Sequence, residues 1–115
     1  MQGVLKTNTV IFVEGLFDLL RLKSLGVSNV VAVQTAKLIS EKHLRLASTF
    51  ADKLIFMFDG DETGYAASEK ASELSEKLKI KYDVIKLPPE EDPDSFGLSN
   101  SYYIKKLIVD SMLKN

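Results

Sequence analysis

The chain is predicted to be a three-layer α/β/α protein with a four-stranded parallel sheet, and three observations predict it. Short runs rich in apolar residues alternate with segments of helical period along its 115 residues. The strongest run, Leu54-Ile55-Phe56-Met57-Phe58, is apolar at every position, as expected of a strand buried on both faces. Acid and glycine follow directly at the end of two strands, Glu14-Gly15 and Asp59-Gly60-Asp61. Parallel strands need crossover helices and right-handed connections, so helices should cover both faces.

After a polar lead-in over residues 1–8, Thr9-Val10-Ile11-Phe12-Val13 forms the first strand and stops at Glu14-Gly15. Leu16, Leu19, Leu20 and Leu25 then recur at helical spacing, with Arg21 and Lys23 on the solvent side. Gly26 stands where a helix wants a left-handed residue just past its end. A second strand is expected over residues 29–33, left through Gln34-Thr35-Ala36. Ser40 then caps a helix that carries Leu44, Ala47 and Phe50 inward. The third strand is the run ending at Phe58. From Glu62 a helix extends to residue 79 with Ala67, Ala71, Leu74 and Leu78 on one face, their small size suiting close approach to a sheet. Residues 82–87 read as a fourth strand ended by Pro88-Pro89, which cannot donate to a ladder. Residues 90–100 read as an acidic loop, and Tyr103, Ile104, Leu107, Ile108 and Met112 outline a terminal helix over about residues 101–113.

Composition narrows the chemistry. One domain accommodates this length, with residues 9–97 as its motif-bearing core. With no cysteine and a single histidine, thiolate and histidine-rich zinc sites are excluded. No segment reaches the roughly 18 apolar residues of a membrane span, so a cytoplasmic location is the expectation. Lys and Arg number 15 against 16 Asp and Glu, so no basic stripe marks a surface that grips nucleic acid by charge alone.

The acids carry the functional signal. Asp18 lies one helical turn beyond Glu14, facing roughly the same way. Asp59 and Asp61 flank Gly60, and Asp59 follows five apolar residues, where an unpaired charge is costly unless a cation or donor meets it. Asp61 doubles as an N-cap before Glu62, and Asp92-Pro93-Asp94 taken alone is a turn sequence. Oxygen ligands of this kind suit Mg²⁺ or Mn²⁺. In an open parallel sheet the ligand crevice lies where the winding reverses. Glu14 and Asp59 share that crevice only if the first and third strands are neighbours, which predicts strand order 2-1-3-4.

The three ordered motifs, Glu14-Gly15-x-x-Asp18, Asp59-Gly60-Asp61-x-x-Gly64 and Asp92-Pro93-Asp94, together resemble the Toprim domain, and most closely its bacterial-type primase branch. The likeness spans about residues 9–97. It implies a Rossmann-like fold, a catalytic general acid or base at Glu14, and Mg²⁺ or Mn²⁺ ligation by Asp59, Asp61, Asp92 and Asp94, with Asp18 in support. Candidate phosphate contacts are Gly15, Thr35, Lys37 and Gly60. Two positions depart from the primase-like pattern: Gln34 stands where a glycine precedes threonine, and Glu91 stands where a lysine precedes the last acidic motif.

The leading expectation is Mg²⁺-dependent phosphodiester chemistry on DNA or RNA, either a small nuclease or a primase-like nucleotidyl transferase. A metal- and phosphate-binding module that assembles with a protein partner in replication or repair is the second. A receiver-type domain phosphorylated on Asp59 is the third, weakened because such domains have five strands and this chain signals four. Oligomeric state is left open.

Overall fold

The computed structural model describes residues 9–34 and 39–114. Thr35 and Lys37, two of the four candidate phosphate contacts, lie outside the described residues.

The elements run β1 (Thr9–Val13), α1 (Leu16–Ser24), β2 (Val30–Ala32), α2 (Glu41–Ser48), β3 (Lys53–Phe56), α3 (Glu62–Leu78), β4 (Lys81–Val84), α4 (Pro93–Ser99) and α5 (Ser101–Leu113). All strand pairs are parallel and the order is β2-β1-β3-β4, as the shared acidic crevice requires. Four strands in this order leave no place for the fifth strand of a receiver domain among the described residues.

Side chains alternate across the sheet with period two. Ile11, Val13, Ile55 and Met57 face one way, against Leu22 of α1, Phe96 of α4, and Ile104 and Ile108 of α5. Phe12, Leu54, Phe56 and Phe58 face the other way, against Leu44 of α2 and Ala67 and Ala71 of α3. The Phe12 and Phe56 rings stack with centroids 5.5 Å apart. Two filled faces make the five-residue apolar run of strand three necessary, although its ladder stops at Phe56; Met57 and Phe58 continue buried toward the acidic end.

Three expectations are corrected. Phe50 is 76% exposed, because α2 ends at Ser48 and the chain turns before the ring can reach the core. Strand four is shorter than residues 82–87: the ladder covers Lys81–Val84, and Ile85 and Leu87 are buried beyond it. Residues 90–100 are not all loop, since α4 occupies Pro93–Ser99 within them. Asp92 caps α4 with Pro93 in its first turn, and Phe96 anchors that helix in the core.

Gly26, with φ +95°, ends α1 in the left-handed region as its position predicts. Lys53, buried at the start of β3, donates from Nζ to the carbonyls of Ser111 and Lys114 and so pins the end of α5 to the sheet. Among the described residues no helix is long and apolar enough to cross a membrane.

Candidate metal centre

Adjacent parallel strands β1 and β3 both end at the same rim, so Glu14 and Asp59 emerge side by side. The Asp59 N–H donates to Glu14 Oε1 at 3.2 Å, which anchors one carboxylate on the backbone of the other loop.

Asp18 stands in the first turn of α1 and is buried. Its Oδ2 accepts from the Gly15 N–H at 3.1 Å and its Oδ1 from the Asp94 N–H at 3.0 Å. Two backbone donors hold the carboxylate in one orientation, yet each oxygen keeps a further lone pair. Burial pushes the Asp18 pKa up, and these two donors oppose that shift.

Asp59 is the electrostatic centre. Its Oδ1 is fully buried and has no hydrogen-bond partner among the described residues. Burial first, then the neighbouring Glu14, Asp18, Asp92 and Asp61 carboxylates, push its pKa up to about 7.

Asp92 completes the cluster. It caps α4 through its Oδ1, which accepts from the Ser95 N–H at 2.7 Å. One carboxylate oxygen each from Asp18, Asp59 and Asp92 lies within 4.8 Å of the others. Three carboxylates, one of them carrying an orphaned buried oxygen and held from ionising by its surroundings, fit a hard divalent cation, because the cation supplies the charge that the protein withholds.

The remaining acids of the motifs take other places. The Asp61 side chain is exposed and its Oδ1 accepts from the Gly64 N–H at 2.7 Å, capping α3. Asp94 Oδ1 accepts from Arg21 Nε at 3.0 Å. Neither belongs to the three-carboxylate group.

The motif glycines are required by packing. A Cβ on Gly60 would lie 2.0 Å from the Pro88 carbonyl oxygen, and one on Gly64 would lie 2.0 Å from the Asp59 carbonyl oxygen. The Gly60 N–H donates to Glu91 O at 2.7 Å, and the Glu90 N–H donates back to Gly60 O at 2.7 Å. This clip joins the Asp59 loop to the loop that leads to Asp92. The N–H groups of Gly15 and Gly60 are both engaged within the protein.

The two departures from the primase-like pattern acquire a structural account. Gln34 adopts φ +66°, the left-handed region where glycine is at ease, and its N–H donates to Glu14 O at 2.8 Å. Gln34→Gly should therefore raise the stability of the chain by about 0.5–1 kcal/mol, read as a higher urea midpoint. Glu91 turns its carboxylate onto the Ser95 hydroxyl at 2.7 Å, helping to hold the α4 start rather than facing a phosphate.

Sequence reasoning puts Arg21 on the solvent side and gives Tyr65 only a packing or surface place, whereas each has a specific partner, Arg21 with Asp94 and Tyr65 with Leu87. The Tyr65 hydroxyl donates to Leu87 O at 2.9 Å and its ring lies 4.6 Å beneath Lys86 Nζ, so it ties α3 to the segment that delivers Asp92. Neither role has a local sequence signal, since each depends on a partner distant in the chain.

Comparison with known proteins agrees with this geometry. The profile of the Toprim-like family matches residues 11–97. The DNA primase of Aquifex aeolicus is 40% identical over 87 residues, covering 75% of this chain and 17% of that protein. The crystal structure of the Aquifex aeolicus primase, comprising its zinc binding and RNA polymerase domains, superposes with TM-score 0.80 at 34% identity, covering 90% of this chain and 26% of that one. The RNA polymerase domain of Mycobacterium tuberculosis primase, solved with a double-stranded DNA oligomer bearing a 6-nucleotide overhang, superposes with TM-score 0.71 at 28% identity, over 89% of this chain and 34% of that one. The chain spans only 15–20% of the length of the curated primases it matches. With the strand order, the acidic rim and the motif glycines all accounted for over residues 11–97, the chain belongs to the Toprim-like family.

Proposed function

We propose that this chain carries Mg²⁺-dependent phosphodiester chemistry on nucleic acid, as a small nuclease or the catalytic part of a primase-like nucleotidyl transferase. The observation that carries the reading is the buried, partnerless Asp59 Oδ1 inside a group of three carboxylates. The similarity to DNA primases, one of them solved with DNA, supports nucleic acid as the substrate class.

Asp18, Asp59 and Asp92 would hold the ion, with Asp61 at the rim. Mg²⁺, when bound, supplies positive charge to a phosphate oxygen and to the oxygen that attacks or leaves. Glu14 is the proton-transfer group. Its Oε1 is tethered to the Asp59 N–H, which orients the carboxylate, and Oε2 is the atom assigned to accept or deliver the proton. Asp18, locked by two N–H donors, keeps the first helical turn from moving as charge changes at the site.

Incubating the protein with single- and double-stranded DNA and RNA, with and without nucleoside triphosphates, in Mg²⁺ or Mn²⁺ tests the proposal. Metal-dependent turnover is expected, and Glu14→Gln should lower it by about 10²-fold while leaving Mn²⁺ binding in place. Wild-type protein that binds the cation but turns over no nucleic acid removes the enzymatic claim.

The near-even charge balance, 15 basic against 16 acidic residues, favours a second reading: a metal- and phosphate-binding module that acts with a partner. A stable protein partner that co-purifies with catalytically inactive chain selects it.

A further inference from the structure

The two aspartates of Asp92-Pro93-Asp94 face different partners. Asp92 joins Asp18 and Asp59, whereas Asp94 Oδ1 accepts from Arg21 Nε at 3.0 Å, with the two side chains 40% and 30% exposed. The Asp94 N–H meanwhile donates to Asp18 Oδ1. Gly97 lies against the stem of the same arginine, where an added Cβ would stand 2.9 Å from Arg21 Cγ. Arg21 follows Asp18 by three positions on α1, so one face of that helix carries both the metal-competent carboxylate and the cation that grips α4.

Resting on the metal-site reading above, we propose that Arg21 is a positioning residue: by pairing with Asp94 it seats α4 on α1 and thereby sets Asp92 at the distance from Asp18 and Asp59 that a cation requires. Asp94 is the counter-ion of this pair and not a ligand. The helix α4 has seven residues, including Pro93 and Gly97, and a segment of that length and composition does not hold itself. Phe96 fixes how deep the helix sits and Pro93 and Gly97 are buried beside it, but apolar contacts alone do not fix how far the helix is turned about its axis. The Arg21–Asp94 pair and the Asp94 N–H bond to Asp18 remove that freedom at the end where Asp92 is displayed. The guanidinium also offsets the charge of an acidic helix start brought up against a second carboxylate. If Asp94 turned to the cation, it would release Arg21 and draw α4 off its seat.

The test measures Mn²⁺ affinity of the whole chain by electron paramagnetic resonance for wild type, Arg21→Met, Asp94→Asn and the exchange Arg21→Asp with Asp94→Arg. Arg21→Met and Asp94→Asn should each weaken binding by about 10-fold, the size of effect seen when a group that orients a metal ligand is lost. The exchanged pair should bind within about threefold of wild type, because it restores the pairing without any carboxylate at position 94. Should Arg21→Met fail to fold, Asp94→Asn and the exchanged pair give the same comparison. In nuclear magnetic resonance of the wild-type protein, the Arg21 Nε–H signal should keep its hydrogen-bonded position when Mg²⁺ saturates the site.

An exchanged pair that folds yet binds no better than Asp94→Asn overturns the inference, as does an Arg21 signal that moves to that of a free guanidinium. Wild-type chain that binds Mn²⁺ and is indifferent to Arg21→Met overturns this inference alone. Wild-type chain that binds no Mn²⁺ overturns the metal reading and this inference with it.

Discussion

Asp59→Asn should make the metal-free protein more stable at pH 8 while lowering its affinity for Mn²⁺ by at least about 10²-fold. These opposite effects follow from one atom: Oδ1 is buried without a partner, in the field of four other carboxylates. In the metal-free fold the group titrates at about 7, against an ordinary value of 3.8. Between those values the native state keeps a proton that the unfolded chain has released. Unfolding stability therefore falls as pH rises across that window and levels off above it. Asparagine cannot ionise, and its amide can donate to Asp18 or Asp92, so the variant loses this slope. With half-burial discounting the full shift, the gain at pH 8 is about 1–2 kcal/mol. A cation reverses the balance, because its charge favours the ionised carboxylate and displaces the proton. Wild-type Mn²⁺ affinity should accordingly increase with pH up to about 7 and then flatten. Urea unfolding in chelator at pH 5 and pH 8, together with Mn²⁺ titrations over the same range, checks both signs. A variant less stable than wild type at pH 8 in chelator would show that Asp59 is already satisfied in the metal-free fold.

Which features are legible in the sequence depends on how far apart the interacting residues lie. The strand order is legible because acids ending the first and third strands share a crevice only when those strands are neighbours, and β1 and β3 do pair from Thr9 opposite Lys53 to Phe12 opposite Phe56. The orphaned character of Asp59 is legible too, since five apolar residues lead straight to it. The helix α4 carries a readable start, an aspartate before proline, but it is only seven residues long with Gly97 inside it, a length and composition that argue against helix by propensity, and tertiary packing of Phe96 overrides them.

Division of labour among the acids is not legible. Asp94 and Arg21 are 73 positions apart, so nothing local separates Asp94 from Asp92. Asp18, placed in support by its family position, sits among the three carboxylates because a backbone N–H from 76 positions away turns it there. Gln34 shows the reverse case. Glycine is expected at that turn, the structure adopts the conformation glycine would, and the chain tolerates glutamine there while its N–H still reaches Glu14.

Gly60→Ala should be severely destabilising, costing about 3–5 kcal/mol. The added carbon would stand 2.0 Å from Pro88 O, 2.9 Å from Pro88 C and 3.1 Å from Glu91 O. All three are backbone atoms, so no flexible side chain can yield. Relief requires the two loops to separate, which breaks both hydrogen bonds of the Gly60 clip, each contributing about 1 kcal/mol, and adds the cost of an overpacked contact of about 1–3 kcal/mol. Against a total stability of roughly 5–15 kcal/mol for a domain of ordinary size, that is a large share. The same movement carries Asp92 away from Asp59, so Mn²⁺ binding should weaken even where the variant is folded. Gly26→Ala is the control. Nothing lies within 4 Å of its added Cβ, its φ of +95° makes the cost one of backbone strain at about 1–2 kcal/mol, and it is remote from the acids. Urea midpoints and Mn²⁺ titrations of the two variants distinguish the effects: Gly26→Ala should shift the midpoint alone, and Gly60→Ala should shift both. Equal, small losses of stability with Mn²⁺ affinity unchanged would mean that the two acidic loops need no clip to meet.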